Sequence, residues 1–211
     1  MSQDDAHFYE PAQGHRLKHD PLNAIIAPRP IGWISSISAA GQVNLAPYSF
    51  FNAFNYTPPV IGFASLGWKD TVANVAATRE FCWNLATRAL ADAMNLTCAP
   101  APHGTDEFNV AGLTHQPSRL VRPPRVQQSP VNFECRLTQI VQLQQADGAK
   151  IQTWLVLGEV VAVHIDRALV ETGIYETASA HPILRCGRSG DYVEVTGDAL
   201  FEMRRPGWPV G

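Results

Sequence analysis

The chain predicts a mainly β protein, an antiparallel barrel of Greek-key type with a few peripheral helices, and three observations carry that prediction. Stretches of period-two hydrophobicity outnumber helical ones, the helical stretches are short, and no G-x-G-x-x-G stands between a strand and a helix. The last point argues against a dinucleotide-binding βαβ unit. No repeat, low-complexity tract or linker divides the 211 residues. Residues 1–211 are therefore read as a single domain with its core at about 20–196.

Taken in order, residues 24–27 and 31–38 read as strands, and a turn at Ala40-Gly41-Gln42 leads into another at 43–47. Residues 60–66 follow as a strand. Asp70 then stands where a helix N-cap belongs, ahead of Val72, Val75 and Ala76 on one face. Residues 81–86 return to strand, and 88–96 to helix. Prolines at 100, 102, 117, 123, 124 and 130 interrupt any regular element, so 99–130 is a long excursion from the domain. From Val131 to Leu143 six of the seven odd positions are apolar, with Gln139 the exception, which is the pattern of a half-buried strand. Asp147-Gly148 turns the chain into a second long strand at 151–165, in which Gly158 marks a bulge. A third helix is expected after Asp166 and a short strand at 192–195. Arg204-Arg205-Pro206 and Pro209 read as a surface tail.

Charge is distributed unevenly. Only 17% of residues are charged, and positions 30–68 hold no Asp, Glu, Lys, Arg or His at all. A window of 39 residues should carry six or seven charges at that frequency, and this one instead holds eight of the nineteen aromatics. A membrane helix needs about 20 apolar residues in a row, but Ser35, Ser36, Asn44, Asn52, Asn55 and the Pro58-Pro59 pair break the window repeatedly. The opening MSQDDAHFYE is acidic where a signal peptide would be basic. No membrane association is expected, and the location is read as cytoplasmic.

A formal charge of -3 with no basic run gives no footprint for nucleic acid. Cys82, Cys98, Cys135 and Cys186 lack Cys-x-x-Cys spacing and read as buried reduced thiols. His15 and His19 could share a helical face, but Asp20-Pro21 follows at once and no partner ligand is nearby, so no metal site is read.

Within the uncharged window the polar groups are neutral: Ser35, Asn44, Tyr48, Ser49, Asn52, Asn55 and Ser65. Such donors and acceptors among apolar walls suit a flat hydrogen-bonding ligand. Arg29 bounds the window on one side and Lys69-Asp70-Thr71, at a helix start, on the other; cations, a hydroxyl and free N–H groups are what a phosphate needs. The combination describes a flavin mononucleotide (FMN) pocket. An ordinary barrel core flanked by a capped helix fits the same composition.

The runs PRPIGWISSIS from Pro28, GQVNLAPYSFFN from Gly41, TPPVIGF from Thr57, and KDTVANV followed by EFCWNLA resemble the flavin reductase-like family. Its members are FMN-binding split barrels that include the reductase components of two-component monooxygenases. The resemblance implies a homodimer with FMN near the subunit interface. It places Asn44, Ala46, Pro47, Tyr48, Ser49, Phe50 and Asn52 along the isoalloxazine and ribityl chain, largely through backbone groups, and Ser65 beside the cofactor. Lys69, Asp70 and Thr71 would form the phosphate end, with Arg29 as a second cation. A carboxylate beside a phosphate is repulsive, so Asp70 is expected to cap the helix or hold a ribityl hydroxyl while Lys69 and the Thr71 hydroxyl face the anion. Trp33 is assigned to the core, with a flavin wall as the alternative.

The stretch HPILRCGRSGDYVEVTG resembles the family too, and through it Arg185, Tyr192 and His181 become candidates to reach the flavin across a dimer. The implied reaction passes hydride from NADH or NADPH to flavin N5, for which the cofactor suffices and no catalytic side chain is identified. Electrons would leave to another flavin, to oxygen, or to a partner monooxygenase or redox protein. The alternative is a flavoredoxin-like carrier that keeps its FMN and takes electrons from a redox partner.

Overall fold

In the computed structural model, which describes residues 6–205 and 207, the chain enters through a single helical turn, α1 (Leu22–Ile25). It then forms β1 (Gly32–Ile37), β2 (Val43–Tyr48), β3 (Phe51–Tyr56) and β4 (Pro59–Leu66), followed by α2 (Asp70–Thr78) and β5 (Glu80–Asn84). The excursion holds α3 (Ala91–Leu96), α4 (Glu107–Val110), β6 (His115–Gln116) and β7 (Arg125–Val126). The long hairpin β8 (Val131–Gln144) and β9 (Lys150–Ile165) follows, then the small hairpin β10 (Ile183–Arg185) and β11 (Tyr192–Glu194). Seven strands pair antiparallel in the order β2-β1-β5-β8-β9-β4-β3, leaving β2 and β3 as the two edges. Of the surface tail read from the sequence, Pro206 and Pro209 lie outside the described residues.

Two apolar clusters face opposite sides of this sheet. Inside the barrel, Ile34, Tyr48, Phe63, Phe81, Leu137 and Val156 close on Val72 and Val75 of α2. Outside, Trp33, Leu45, Met94, Phe108, Val126 and Ile183 pack under the excursion. β1 is thus buried on both faces, which accounts for part of the uncharged window. Trp33 belongs to the outer cluster, with no exposed surface and its Nε1–H donated to Thr97 Oγ1 at 3.0 Å; it is core and not a flavin wall.

Several local expectations are corrected. The strand expected at 24–27 overlaps α1: Asp20 Oδ1 accepts from the Leu22 N–H and starts a helical turn, and no neighbouring strand lies beside it. Residues 88–96 begin as a 3-10 turn before becoming α3, and only a 3-10 turn follows Asp166, whose carboxylate caps it at the Ala168 N–H. β3 was not expected at all; Phe54 is an extra residue between paired Ala53 and Asn55, and this bulge hides the period-two pattern. Gly158 is not itself bulged. The extra residue is Thr138 on the opposite strand, between Leu137, paired with Gly158, and Gln139, paired with Leu157. Gly158 instead makes room for a ring: a Cβ there would lie 2.4 Å from Phe81 Cε1. Past Thr138 the phase of β8 flips, so Ile140 joins the core while Val141 faces out.

The excursion is pinned to the sheet by a buried carboxylate. Glu134, fully buried, accepts from the N–H groups of Arg119, Leu120 and Val121 and pairs with His164 Nε2 at 2.6 Å. Burial pushes its carboxyl up, but these donors outweigh that and hold it below the usual carboxylate range.

Candidate flavin site

The site is organised by the free edge of β2. This strand pairs with β1 on one side only, with Leu45 opposite Ser35 and Pro47 opposite Trp33. Successive residues of an antiparallel strand turn their N–H and C=O groups to alternate sides. The Leu45 N–H donates to the Glu107 carboxylate at 2.8 Å, away from β1, so Leu45 and then Pro47 face off the sheet. Pro47 has no N–H to offer. Leu45 is fully buried beneath the excursion, so the acceptor this edge leaves at a pocket is the Pro47 carbonyl, with no N–H beside it for another strand to use. Burial pushes the Glu107 carboxyl up, the Leu45 N–H pulls it down, and the charges of Asp106 and Asp70 add to the rise.

Asn44, Tyr48, Ser65 and Thr71 come together, but they point into the barrel. None is more than 8% exposed. Asn44 Nδ2 donates to Thr71 Oγ1 at 2.8 Å, the Tyr48 phenol lies beside the Thr71 and Ser65 hydroxyls, and Ser65 Oγ donates to the Gly67 carbonyl. Burial is the main cause that pushes the Tyr48 phenol up. The Thr71 hydroxyl, expected to face a phosphate, instead ties the start of α2 to β2. Its position on the helix sends it inward with Val72 and Val75.

Asp70 is not the N-cap. Lys69, extended at φ -92° and ψ 173°, occupies that position, and no side chain caps the helix. The Asp70 carboxylate is turned to the excursion: one oxygen pairs with His103 Nδ1 at 2.7 Å and the other accepts from the Gly104 N–H at 3.3 Å. Lys69 is exposed beside it.

Arg29 is not brought to this end. It is 8% exposed, donates to the carbonyls of Asn23, Ile26 and Cys186, and lies 5.9 Å from the Phe50 ring centroid. Asn44, which holds Thr71, lies near one end of β2 and Phe50, beside Arg29, lies beyond the other, so Lys69 and Arg29 are not brought together. Arg29 holds α1 and the 186–190 turn in place.

Of the remaining candidates Phe50, Asn52 and Lys69 are exposed, and Ala46, Pro47, Ser49 and Asp70 are half-buried. Pro47 and Ser49 line a pocket of about 140 Å³ with Ile31, Met94, Cys98, Arg185 and Tyr192. It adjoins a groove of about 570 Å³ between α3 and the β10–β11 hairpin, which shares Met94 and Tyr192. Arg185 and Tyr192 thus approach Pro47 and Ser49 within one subunit. The Arg185 guanidinium sits 4.8 Å over the Tyr192 ring and donates to the carbonyls of Arg188, Ser189 and Asp191. His181 is further off, tied to Glu194 at 2.7 Å.

Met94, Cys98, His103 and Glu107 are additions that the sequence reading did not single out. Asp106 capping α4 through the Phe108 N–H had a local signal in Asp-Glu-Phe. Nothing local links His103 to Asp70, 33 residues away. Cys98 is exposed rather than buried, whereas Cys82 and Cys135 are buried, and burial pushes the Cys82 thiol up to about 12. Among the described residues no group of three or more His, Cys, Asp or Glu side chains could hold a metal ion, and no helix is long and apolar enough to cross a membrane.

These residues fit FMN. The Pro47 carbonyl could accept from an imide N–H, and Ile31, Met94 and Pro47 would give apolar contact beside it. Lys69 and the helix start, uncapped by any side chain, lie near Asn44, about 10 Å along β2 from Pro47, a span a ribityl chain covers.

Comparison with known proteins agrees. A protein of Aquifex aeolicus is 33% identical over 185 residues, covering 85% of this chain and 90% of its own. Among solved structures, nitrilotriacetate monooxygenase component B from Bacillus cereus superposes with a TM-score of 0.79 at 29% identity, over 86% of this chain and 90% of that one. Pseudomonas fluorescens 2-nitrobenzoate 2-nitroreductase gives 0.77 at 27%, over 89% and 90%. Residues 26–183, from the turn that Arg29 organises to the first residue of β10, match the flavin reductase like domain, and the chain belongs to that family of flavin-binding split barrels.

Proposed function

We propose that the protein is an FMN-dependent oxidoreductase, an NAD(P)H:flavin reductase working as a homodimer in the cytoplasm and supplying electrons to a partner monooxygenase or another acceptor. The observation that carries this reading is the acceptor edge of β2 opening onto a pocket and groove in the same subunit. FMN, when bound, supplies the hydride-accepting chemistry. The residues' part is binding and alignment.

The carbonyl of Pro47 holds the ring edge, Ser49, Phe50 and Asn52 flank it, and Lys69 holds the phosphate. Asn44, Tyr48, Ser65 and Thr71 act from inside the barrel by fixing β2 against α2. The groove beside Tyr192 and Met94 admits the nicotinamide to the exposed face of the ring. Membership of a family described as flavin reductase like and the likeness to a monooxygenase component support the reductase reading.

The homodimer reading rests on the second half of the uncharged window. Phe54 is 54% and Tyr56 93% exposed on the edge strand β3, and Leu66 at 61% and Trp68 at 51% are exposed at the far end of the neighbouring β4. A second copy of the chain is the occupant expected there.

The test is spectroscopic. Protein reconstituted with FMN should lose the visible absorbance of its oxidised flavin on mixing with NADH or NADPH under anaerobic conditions. A reconstituted protein that neither nucleotide reduces, but a redox partner does, would establish the carrier instead.

A further inference from the structure

We infer that His103, held by Asp70, is a further ligand of the FMN phosphate and makes the preference for FMN over riboflavin depend on protonation. The inference rests on the reading of Lys69 as the phosphate end. It begins with a conflict of charge: Asp70 sits in the first turn of α2, beside the place where an anion is to bind, and a carboxylate there repels it.

The structure turns this carboxylate aside. Its two oxygens engage His103 Nδ1 and the Gly104 N–H, so it neither caps α2 nor faces the acceptor edge of β2. What it does is fasten residues 103 and 104 beside the start of the helix. Gly104, at φ +79°, lies so near the Gln42 amide that a Cβ would come within 2.9 Å of Nε2. Farther along, Glu107 ties the same segment to Leu45. The excursion is therefore stitched across the end of the site at three points, and His103 is the basic side chain it brings there.

His103 is 78% exposed on its side chain, so the ring is accessible even with Nδ1 engaged. With Nδ1–H donated to Asp70, a neutral imidazole has only a lone pair at Nε2 and repels a phosphate oxygen. The imidazolium carries a proton on both nitrogens. It can then give Nδ1–H to Asp70 and Nε2–H to the phosphate, which is the charge order that removes the conflict: carboxylate, imidazolium, phosphate. The other charged groups around it are Lys69 on α2, which adds to the attraction, and Asp106 and Glu107 on α4, which oppose it. The Asp106 carboxylate is engaged by His115 at 3.2 Å, and the Glu107 carboxylate by the Leu45 N–H.

The experiment measures FMN and riboflavin affinities by flavin fluorescence quenching from about pH 6 to about pH 8.5, the range over which histidine ordinarily changes charge. Wild type and the variants His103→Gln, Asp70→Asn and Lys69→Ala are compared. In the wild type the FMN:riboflavin ratio should fall as pH rises. His103→Gln should lower the ratio at acidic pH by about tenfold, the scale of one charge-assisted hydrogen bond, and leave riboflavin binding unchanged. Because a phosphate monoester gains charge above about pH 6, the ratio in His103→Gln should rise with pH, opposite in sign to the wild type. Asp70→Asn should flatten the wild-type slope. His103 is on the surface, and a thermal melt confirms that its variant is folded. If His103→Gln keeps the wild-type ratio and slope while Lys69→Ala abolishes the preference, the phosphate end stands and the role of His103 is wrong. If the wild type binds FMN and riboflavin equally, the phosphate reading itself fails, and this inference with it.

Discussion

Lys69 is the residue on which the polarity of the site turns. It is exposed, it is the N-cap of α2, and it lies by way of Thr71 and Asn44 at the far end of β2 from Arg29. Lys69→Ala should weaken FMN about tenfold and riboflavin hardly at all; equal losses in a titration of both would place the phosphate elsewhere. Arg29→Met should instead cost stability, because three backbone carbonyls lose their donor, without changing the FMN:riboflavin ratio. Sequence made Lys69 and Arg29 look equivalent, as the two charges that bound an uncharged window. Their difference is tertiary: one ends a loop at a helix start, the other is folded back onto carbonyls of its own neighbourhood. Thr71 was legible as part of the site and illegible in orientation, since which way its hydroxyl points follows from the inward face of α2. His103 could not be read at all.

At the scale of elements, the long hairpin shows what hydrophobic patterning reveals and what it conceals. The alternation in β8 was plain from Val131 to Leu137, and the strand is there. The bulges were invisible because each adds one residue whose type is unremarked, and the pattern merely changes phase. Asn132 and Glu134 looked like the solvent face, but the excursion covers them. That covering makes the outer layer sensitive to acid. Glu134 is held below its ordinary value, so its contribution is present above the unfolded-state value near pH 4 and is lost as pH falls through the folded one. Glu134→Gln should cost about 2–4 kcal/mol near neutrality, and the difference from wild type in urea melts should shrink as the pH is lowered below 4. In the same hairpin, Gly158→Ala should cost about 1–3 kcal/mol. The added methyl meets Phe81 in the core and the Arg136 carbonyl at 3.2 Å.

For the whole molecule, the 39 uncharged residues divide into two parts with different causes. In β1 and at Asn44 and Leu45 neutrality follows from burial; from Phe50 to Trp68 much of the surface is exposed and still uncharged, as is the turn at 39–42. Composition registered both as one anomaly, and only the sheet order, with β3 at an edge, separates them. Tyr56→Glu combined with Phe54→Glu should shift the sedimentation coefficient from dimer to monomer and weaken FMN with it. A wild-type protein that sediments as a monomer would remove the homodimer from the proposed function.

The carbonyl edge of β2 has a consequence for how this protein can be probed and how it can diverge. In the proposed reading the acceptor at position 47 is a main-chain carbonyl, so a side-chain substitution there leaves it in place. What can break the recognition is a shift of the strand itself, for instance by loss of the Glu107 contact that sets which way Leu45 faces. Substitutions in a loop some sixty residues downstream would then alter ligand affinity more than substitutions along the binding strand.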